Sequence, residues 1–163
     1  MPIFHPFKVY EIERITKDAV VISFEVPFHL KSSYSFISGQ YISLEAEING
    51  VHVRRSYSLC STPDKPILSV GVKEVPKGVF SSYINQSLRV GDSLNVSPPE
   101  GRFFYDSKNE NHSILSIAAG SGITPVFSIL NSFLKNNKFG VFTLIYGNKT
   151  PEQTMFYKEL KTL

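Results

Sequence analysis

The chain has 163 residues, 42% hydrophobic and 19% charged, with 13 Phe, 8 Tyr and no Trp. That balance excludes disorder and suits one full domain, or one domain plus part of another. The net charge of +3 comes from scattered Lys and Arg, too dilute for a nucleic-acid footprint but suited to a small anionic ligand or an acidic protein partner.

The first residues, MPIFHPFKVYEIER, acquire charges at once, so they do not read as a signal peptide. No window is apolar enough to span a bilayer, and a cytoplasmic protein without a membrane partner is expected. KVYEIERIT (8–16) opens a series of short strands. In AVVISFEVP the residues Val20, Ile22, Phe24 and Val26 share a face. GQYISLEAEINGVHVRRSYSL (39–59) reads as a hairpin, with Ile42, Leu44, Ala46 and Ile48 inward on its first arm and Asn49-Gly50 as its turn. PILSVGVKEV (66–75) is a further strand, SSYINQSL (81–88) a short helix and SLNVSPP (93–99) the last strand of the group. Several short antiparallel strands with little helix predict a closed barrel.

The composition changes near residue 106, where DSKNENHS reads as a link between two units. The run Ile114, Leu115, Ile117, Ala118, Ala119 predicts a parallel strand buried on both faces. Thr124 is expected to cap a helix with Pro125 at its first position, and Val126, Ile129, Leu130 and Phe133 continue at helical spacing. VFTLIYG (141–147) reads as a second buried strand and PEQTMFYKELKTL (151–163) as a second helix. This β-α-β-α order opens a doubly wound nucleotide-binding domain. Two parallel strands would leave bare edges, so a fragment of something longer is expected.

Three stretches carry candidate chemistry. On 51–59, Arg55 falls on the apolar face between Val53 and Tyr57. A guanidinium buried there needs an anion, and it could hold a phosphate while the Tyr57 ring stacks on a flat ligand. Ser58 and Ser61, near the strand end, could bond a ring edge or ribityl chain. An arginine at the barrel rim, paired with a carboxylate, fits the pattern equally well. In KGVFSSYINQSL, Gly78 permits close approach, and Ser81 and Ser82 stand at a helix start that attracts anions; an ordinary serine cap is the plainer reading. Lys73 and Lys77 add cations nearby. In AAGSGITP (118–125), glycines precede a helix start. They suit a diphosphate, or only a sharp strand–helix turn; Pro125 stands where a dinucleotide fingerprint would have its third Gly. Lys149 follows the second parallel strand, where a cation can meet an adenosine ribose. His5, His29, His52 and His112 lack metal-ligand spacing, no metal site is expected, and the single cysteine, Cys60, allows neither an internal disulfide nor a cysteine-ligated iron–sulfur centre.

In order, RSYS (55–58), GVFSSYI (78–84), PEGRF (99–103), GSGITP (120–125) and YGNK (146–149) resemble the ferredoxin–NADP reductase family, its bacterial oxygenase-reductase branch above all. The resemblance covers nearly the whole chain. It implies a β barrel plus α/β architecture: a six-stranded antiparallel Greek-key FAD-binding barrel (1–105), a linker (106–112) and an incomplete NAD(P)H-binding domain (113–163). It implies that Arg55 holds the FAD pyrophosphate, that Tyr57 packs on the isoalloxazine and that Ser58 lies near its reactive nitrogen. Gly78, Ser81 and Ser82 would bind the pyrophosphate from the other side. Gly120, Gly122, Thr124 and Pro125 would line the nicotinamide path, with Tyr57, Ser58 and Thr124 as the catalytic positions. Lys73 and Lys149 join the cofactor-binding set, although the family often has Arg at the latter. The implied activity passes hydride from NADPH or NADH to FAD, then single electrons to an acidic ferredoxin, flavodoxin or oxygenase component. An iron–sulfur cluster is implied only if a domain follows residue 163. A binding module without turnover, for flavin or another ligand, is the reading from a different class.

Overall fold

The computed structural model describes residues 3–105, 112–137 and 139–163. Six strands pair antiparallel throughout: β1 (His5–Thr16), β2 (Ala19–Glu25), β3 (Tyr41–Ile48), β4 (Val51–Ser58), β5 (Ile67–Lys73) and β6 (Ser93–Val96). Their order is β4-β3-β6-β1-β2-β5, so β6 returns to lie between β3 and β1, the Greek-key signature. A bridge between Leu59 and Val70 brings the two outer strands together. The alternation visible in the sequence fills the interior: Ile22, Phe24, Ile42, Leu44, Leu68, Val70 and Val96 are buried in one core. Asn49 (φ 53°) and Gly50 (φ 75°) both take the left-handed conformation that a two-residue hairpin turn demands.

Helix α1 (Val79–Gln86) begins two residues before the predicted start, with Gly78 at its N-cap position. It inserts Phe80 and Ile84 into the barrel core. The second unit consists of β7 (Ile114–Ala119), α2 (Ile123–Asn136), β8 (Phe142–Gly147) and α3 (Tyr157–Lys161), with β7 and β8 parallel. The expected linker, residues 106–112, lies outside the described residues except for His112. Among the described residues no helix is long and apolar enough to cross a membrane.

Three sequence expectations are corrected in this unit. Strand β7 is not buried on both faces: Leu115 (64% exposed) and Ile117 (73%) stand bare, beside Ile145 (55%) of β8. Only the opposite face, with Ala118, Phe142, Leu144 and Tyr146, packs under α2, where Phe133 meets Phe142 at 5.4 Å. Burial on both faces needs a layer on each side, and among the described residues there is one. Second, Thr124 does not cap α2. A 3₁₀ turn over Gly120–Gly122 leads directly into the helix, and Thr124 Oγ1 donates back to Ser121 O at 3.1 Å. Pro125 still lies in the first turn, where a missing N–H costs nothing. Third, residues 151–156 do not form the start of one helix. A short 3₁₀ turn (Pro151–Gln153) gives way to Phe156 at φ 59°, and α3 has only five residues. That break buries Met155 and stacks Phe156 on Phe127 at 4.2 Å; burial of two large side chains outweighs the backbone strain.

The barrel and the second unit share a core. Ala19 and Cys60 of the barrel pack with Ala118, Ile123, Val126, Met155 and Phe156. Cys60 Sγ donates to Ser69 O at 3.3 Å, and burial pushes its thiol up to about 12. The thiolate is the reactive form, so burial keeps Cys60 of the folded protein as the unreactive thiol around neutral pH. Alkylation with iodoacetamide at pH near 8, read by mass spectrometry, is expected to leave Cys60 unmodified until denaturant is added; prompt labelling of the native chain would contradict this packing.

Candidate functional site

Residues directly opposite each other on antiparallel strands share a face. Arg55 pairs with Leu44 and Tyr57 with Ile42, so both do point to the core side of β4, as the alternation predicts. Arg55 is nevertheless exposed. The guanidinium expected to be buried instead stands at the mouth of a cleft. The cause is topological: β4 is an outer strand, and it meets β5 at the Leu59–Val70 bridge rather than along a ladder. The gap between the two strands opens into a cavity of about 550 Å³.

Four elements line that cavity. Strand β4 contributes Arg55, Tyr57 and Ser58; β5 contributes Gly71 and Lys73; the start of α1 contributes Gly78 and Ser81; the start of α2 contributes Gly122, Thr124 and Pro125. Arg55 Nη1 donates to Arg54 O at 2.7 Å, and among the described residues no carboxylate pairs with it. It is Arg54, on the other face, that finds a carboxylate: its Nε lies 4.0 Å from Glu45, and its guanidinium covers the Phe4 ring at 4.8 Å. The Tyr57 ring is half-buried and leans on Phe80 at 6.1 Å. Burial pushes its hydroxyl up to about 12, against the opposing pull of the Arg55 charge, so the phenol stays neutral in any working range.

At the start of α1 the chain needs glycine. A Cβ on Gly78 would fall 2.5 Å from Ser81 Oγ and 2.9 Å from Val75 O. Ser81 Oγ accepts from Val75 N at 3.1 Å and donates to Gly78 O at 3.2 Å, which ties the approach loop to the helix start that lines the cleft. An unpaired guanidinium, a helix start behind a closely packed glycine and a flat half-buried phenol thus share one cavity. That set suits a ligand with a diphosphate and a flat ring, and FAD is such a ligand.

Of the other expected residues, only Lys73 lines this cavity. Ser82 does not line the cavity; its backbone N–H donates to Gly78 O at 2.9 Å within the helix. Ser61 does not line it either: its Oγ accepts from Ser69 N at 3.1 Å and its carbonyl from Ser128 Oγ at 2.6 Å. Lys73 Nζ donates to Gln153 O at 3.0 Å and faces Asp18 at 3.6 Å, bridging the barrel to the second unit. Gly120 and Lys149 line a second cavity of about 930 Å³ at the ends of β7 and β8, together with Lys73 and Asp18. Tyr146 steadies its floor by donating to Gly120 O at 2.8 Å.

Sequence reasoning missed Gly71. A Cβ there would come within 2.8 Å of both Thr124 Cγ2 and Met155 Cε, so this glycine lets the second unit close against β5. The available signal was a glycine inside a strand, a mark of close approach by another segment.

Comparison with known proteins agrees with this architecture. Residues 6–105 match the oxidoreductase FAD-binding domain and residues 117–163 the oxidoreductase NAD-binding domain. The chain is 41% identical to one of the subunits that make up the 1,2-phenylacetyl-CoA epoxidase of Escherichia coli, over 100% of this chain and 46% of that protein. It is 36% identical to the ferredoxin reductase component of 3-ketosteroid-9-alpha-monooxygenase from Rhodococcus rhodochrous, over 91% of this chain and 42% of that protein. The chain spans about half the length of these curated relatives. Among solved structures, the flavohem-like FAD/NAD-binding domain of nitric oxide dioxygenase from Vibrio cholerae superposes with a TM-score of 0.82 at 28% identity, covering 96% of this chain and 68% of that one. With the barrel, its open cleft and these matches in agreement, the chain belongs to the family of oxidoreductase FAD-binding domains, joined to the oxidoreductase NAD-binding domain.

Proposed function

We propose that this chain is the flavin-holding part of an NAD(P)H-dependent oxidoreductase that serves as an oxygenase reductase component. The observation that carries the reading is the meeting of Arg55, Tyr57 and the start of α1 with Thr124 and Pro125 of α2 on one cavity. FAD, when bound, supplies the exchange between a two-electron hydride donor and one-electron acceptors. Arg55 and the first-turn N–H groups of α1 bind its diphosphate from two sides. Tyr57 packs against its ring system, and Ser58, next on the strand, bonds the ring edge. Thr124 and Pro125 orient the nicotinamide and keep water from the reacting faces. Of the two curated relatives above, one is by name the ferredoxin reductase component of a monooxygenase and the other a part of an epoxidase, which supports a ferredoxin or oxygenase partner, and the net charge of +3 favours an acidic one. Lys149, beside the second cavity, favours NADPH through its charge on a 2′-phosphate.

The deciding experiment is anaerobic addition of NADPH, and separately NADH, to the FAD-loaded chain. Bleaching of the yellow absorbance, faster with NADPH, is expected. A yellow protein that neither nucleotide bleaches would instead be a passive electron-transfer module, and a chain that takes up no flavin would refute the cleft assignment altogether.

A further inference from the structure

Helix α2 carries an unusual buried face. Thr124, Ser128 and Ser132 follow one another at four-residue intervals, and all three are buried, where a helix ordinarily presents apolar side chains. Each finds a specific place on the barrel. The Thr124 methyl fills the space left by Gly71 of β5. Ser128 Oγ donates to Ser61 O at 2.6 Å, just after β4. Ser132 Oγ and Ser38 Oγ share a hydrogen bond of 2.5 Å, just before β3. One turn further, Lys135 Nζ reaches Asp64 Oδ2 at 2.5 Å, but both groups are exposed and the pair is screened. Apolar side chains of the same helix pack on both units: Phe133 meets Phe142 of the sheet, while Ile123 and Val126 join Ala19 and Cys60 of the barrel.

Apolar burial is non-directional and tolerates sliding. A buried hydroxyl has one bonding geometry, and leaving it costs the desolvation of both partners. The two serine contacts therefore set the register of α2 along the barrel. Thr124, one turn before Ser128, lines the same cavity as Tyr57 and Ser58. On the functional reading above, we propose that Ser128 and Ser132 are positioning residues for hydride transfer, holding the start of α2 at a set distance from the flavin-facing end of β4.

The test compares Ser128→Ala/Ser132→Ala with Ser23→Ala in the FAD-loaded chain. Ser23 makes a buried hydroxyl pair of the same kind with Ser69 at 2.8 Å, between β2 and β5, outside the cleft lining and, among the described residues, without a hydrogen bond to α2, so it controls for the loss of a buried hydroxyl pair alone. The double variant is expected to keep FAD affinity within about twofold, since the barrel holds the flavin. Amide hydrogen exchange across residues 123–130 is expected to rise about tenfold. Bleaching by saturating NADPH should slow by roughly tenfold to a hundredfold, because displacement by about 1 Å carries that scale of effect, while the half-saturating NADPH concentration changes little. Ser23→Ala should match wild type in both readouts. Ser132→Ala alone, the contact farther from the cleft, should show the same pattern at smaller size, and this keeps the test alive if the double variant folds poorly. Equal exchange and equal bleaching in wild type and double variant would overturn the proposal, as would an equal slowing by Ser23→Ala. A wild-type chain that binds FAD and is bleached by neither nucleotide would overturn the functional reading instead.

Discussion

Arg55→Ala is expected to weaken FAD binding by one to two orders of magnitude, while Arg54→Ala changes it by less than about threefold. The two arginines are adjacent in sequence and opposite in environment. Arg54 already has Glu45 and the Phe4 ring as partners on the outer face, so its loss costs a half-exposed ion pair, worth well under about 1 kcal/mol. Arg55 stands in the cavity and, among the described residues, has only the Arg54 backbone carbonyl as acceptor. Its planar fork is free to make charge-assisted bonds to a diphosphate, each worth about 1.5–3 kcal/mol. Titration of the flavin-free chain with FAD, followed by quenching of flavin fluorescence, measures both affinities. Equal losses for the two variants would remove Arg55 from the binding site.

The second large effect falls on stability. Gly39→Ala should destabilise the barrel by about 3–5 kcal/mol, from the sum of backbone strain and overpacking. Gly39 has φ +103°, and a Cβ there would lie 2.4 Å from Phe103 O and 3.0 Å from Ile129 Cδ1. Backbone on one side and a helix side chain on the other leave no room to relax. The loop around it is pinned besides: Leu59 N donates to Gln40 O at 2.9 Å, and Gln40 Nε2 to Gly101 O at 3.3 Å. Gly50 is the internal control. Its φ is also positive, at +75°, but a Cβ would meet nothing within 4 Å, so Gly50→Ala should cost only about 1–2 kcal/mol. Urea unfolding of both variants decides the matter, and similar midpoints would show that the crossing of residue 39 with the 101–105 loop has room to relax.

Much of the barrel was legible in the chain. Period-two alternation depends on neighbours two residues apart, and a positive-φ pair such as Asn49-Gly50 depends on the residues of the turn itself, so both are written locally. The same holds for Arg55 and Tyr57, whose shared face with Leu44 and Ile42 follows from strand geometry alone. The motif order from RSYS to YGNK also lies in the sequence, and it led to the family that residues 6–105 and 117–163 then matched. The surroundings of those residues were decided by the tertiary structure. Arg55 is exposed because β4 and β5 meet only at a bridge, a property of closure rather than of any strand. Helix α3 starts late because Met155 and Phe156 are drawn into a core made with Ala19 and Cys60, which precede Met155 by 136 and 95 residues. Ser61 looked like a ligand contact from its position beside β4, yet its groups are taken by Ser69 and Ser128. Ser38 and Ser132 gave no local signal, since a hydroxyl's partner 94 residues distant leaves no period in the chain. Alternation and turn chemistry act within a few residues; the pairing of buried polar groups depends on which surfaces the closed barrel and helix α2 bring together.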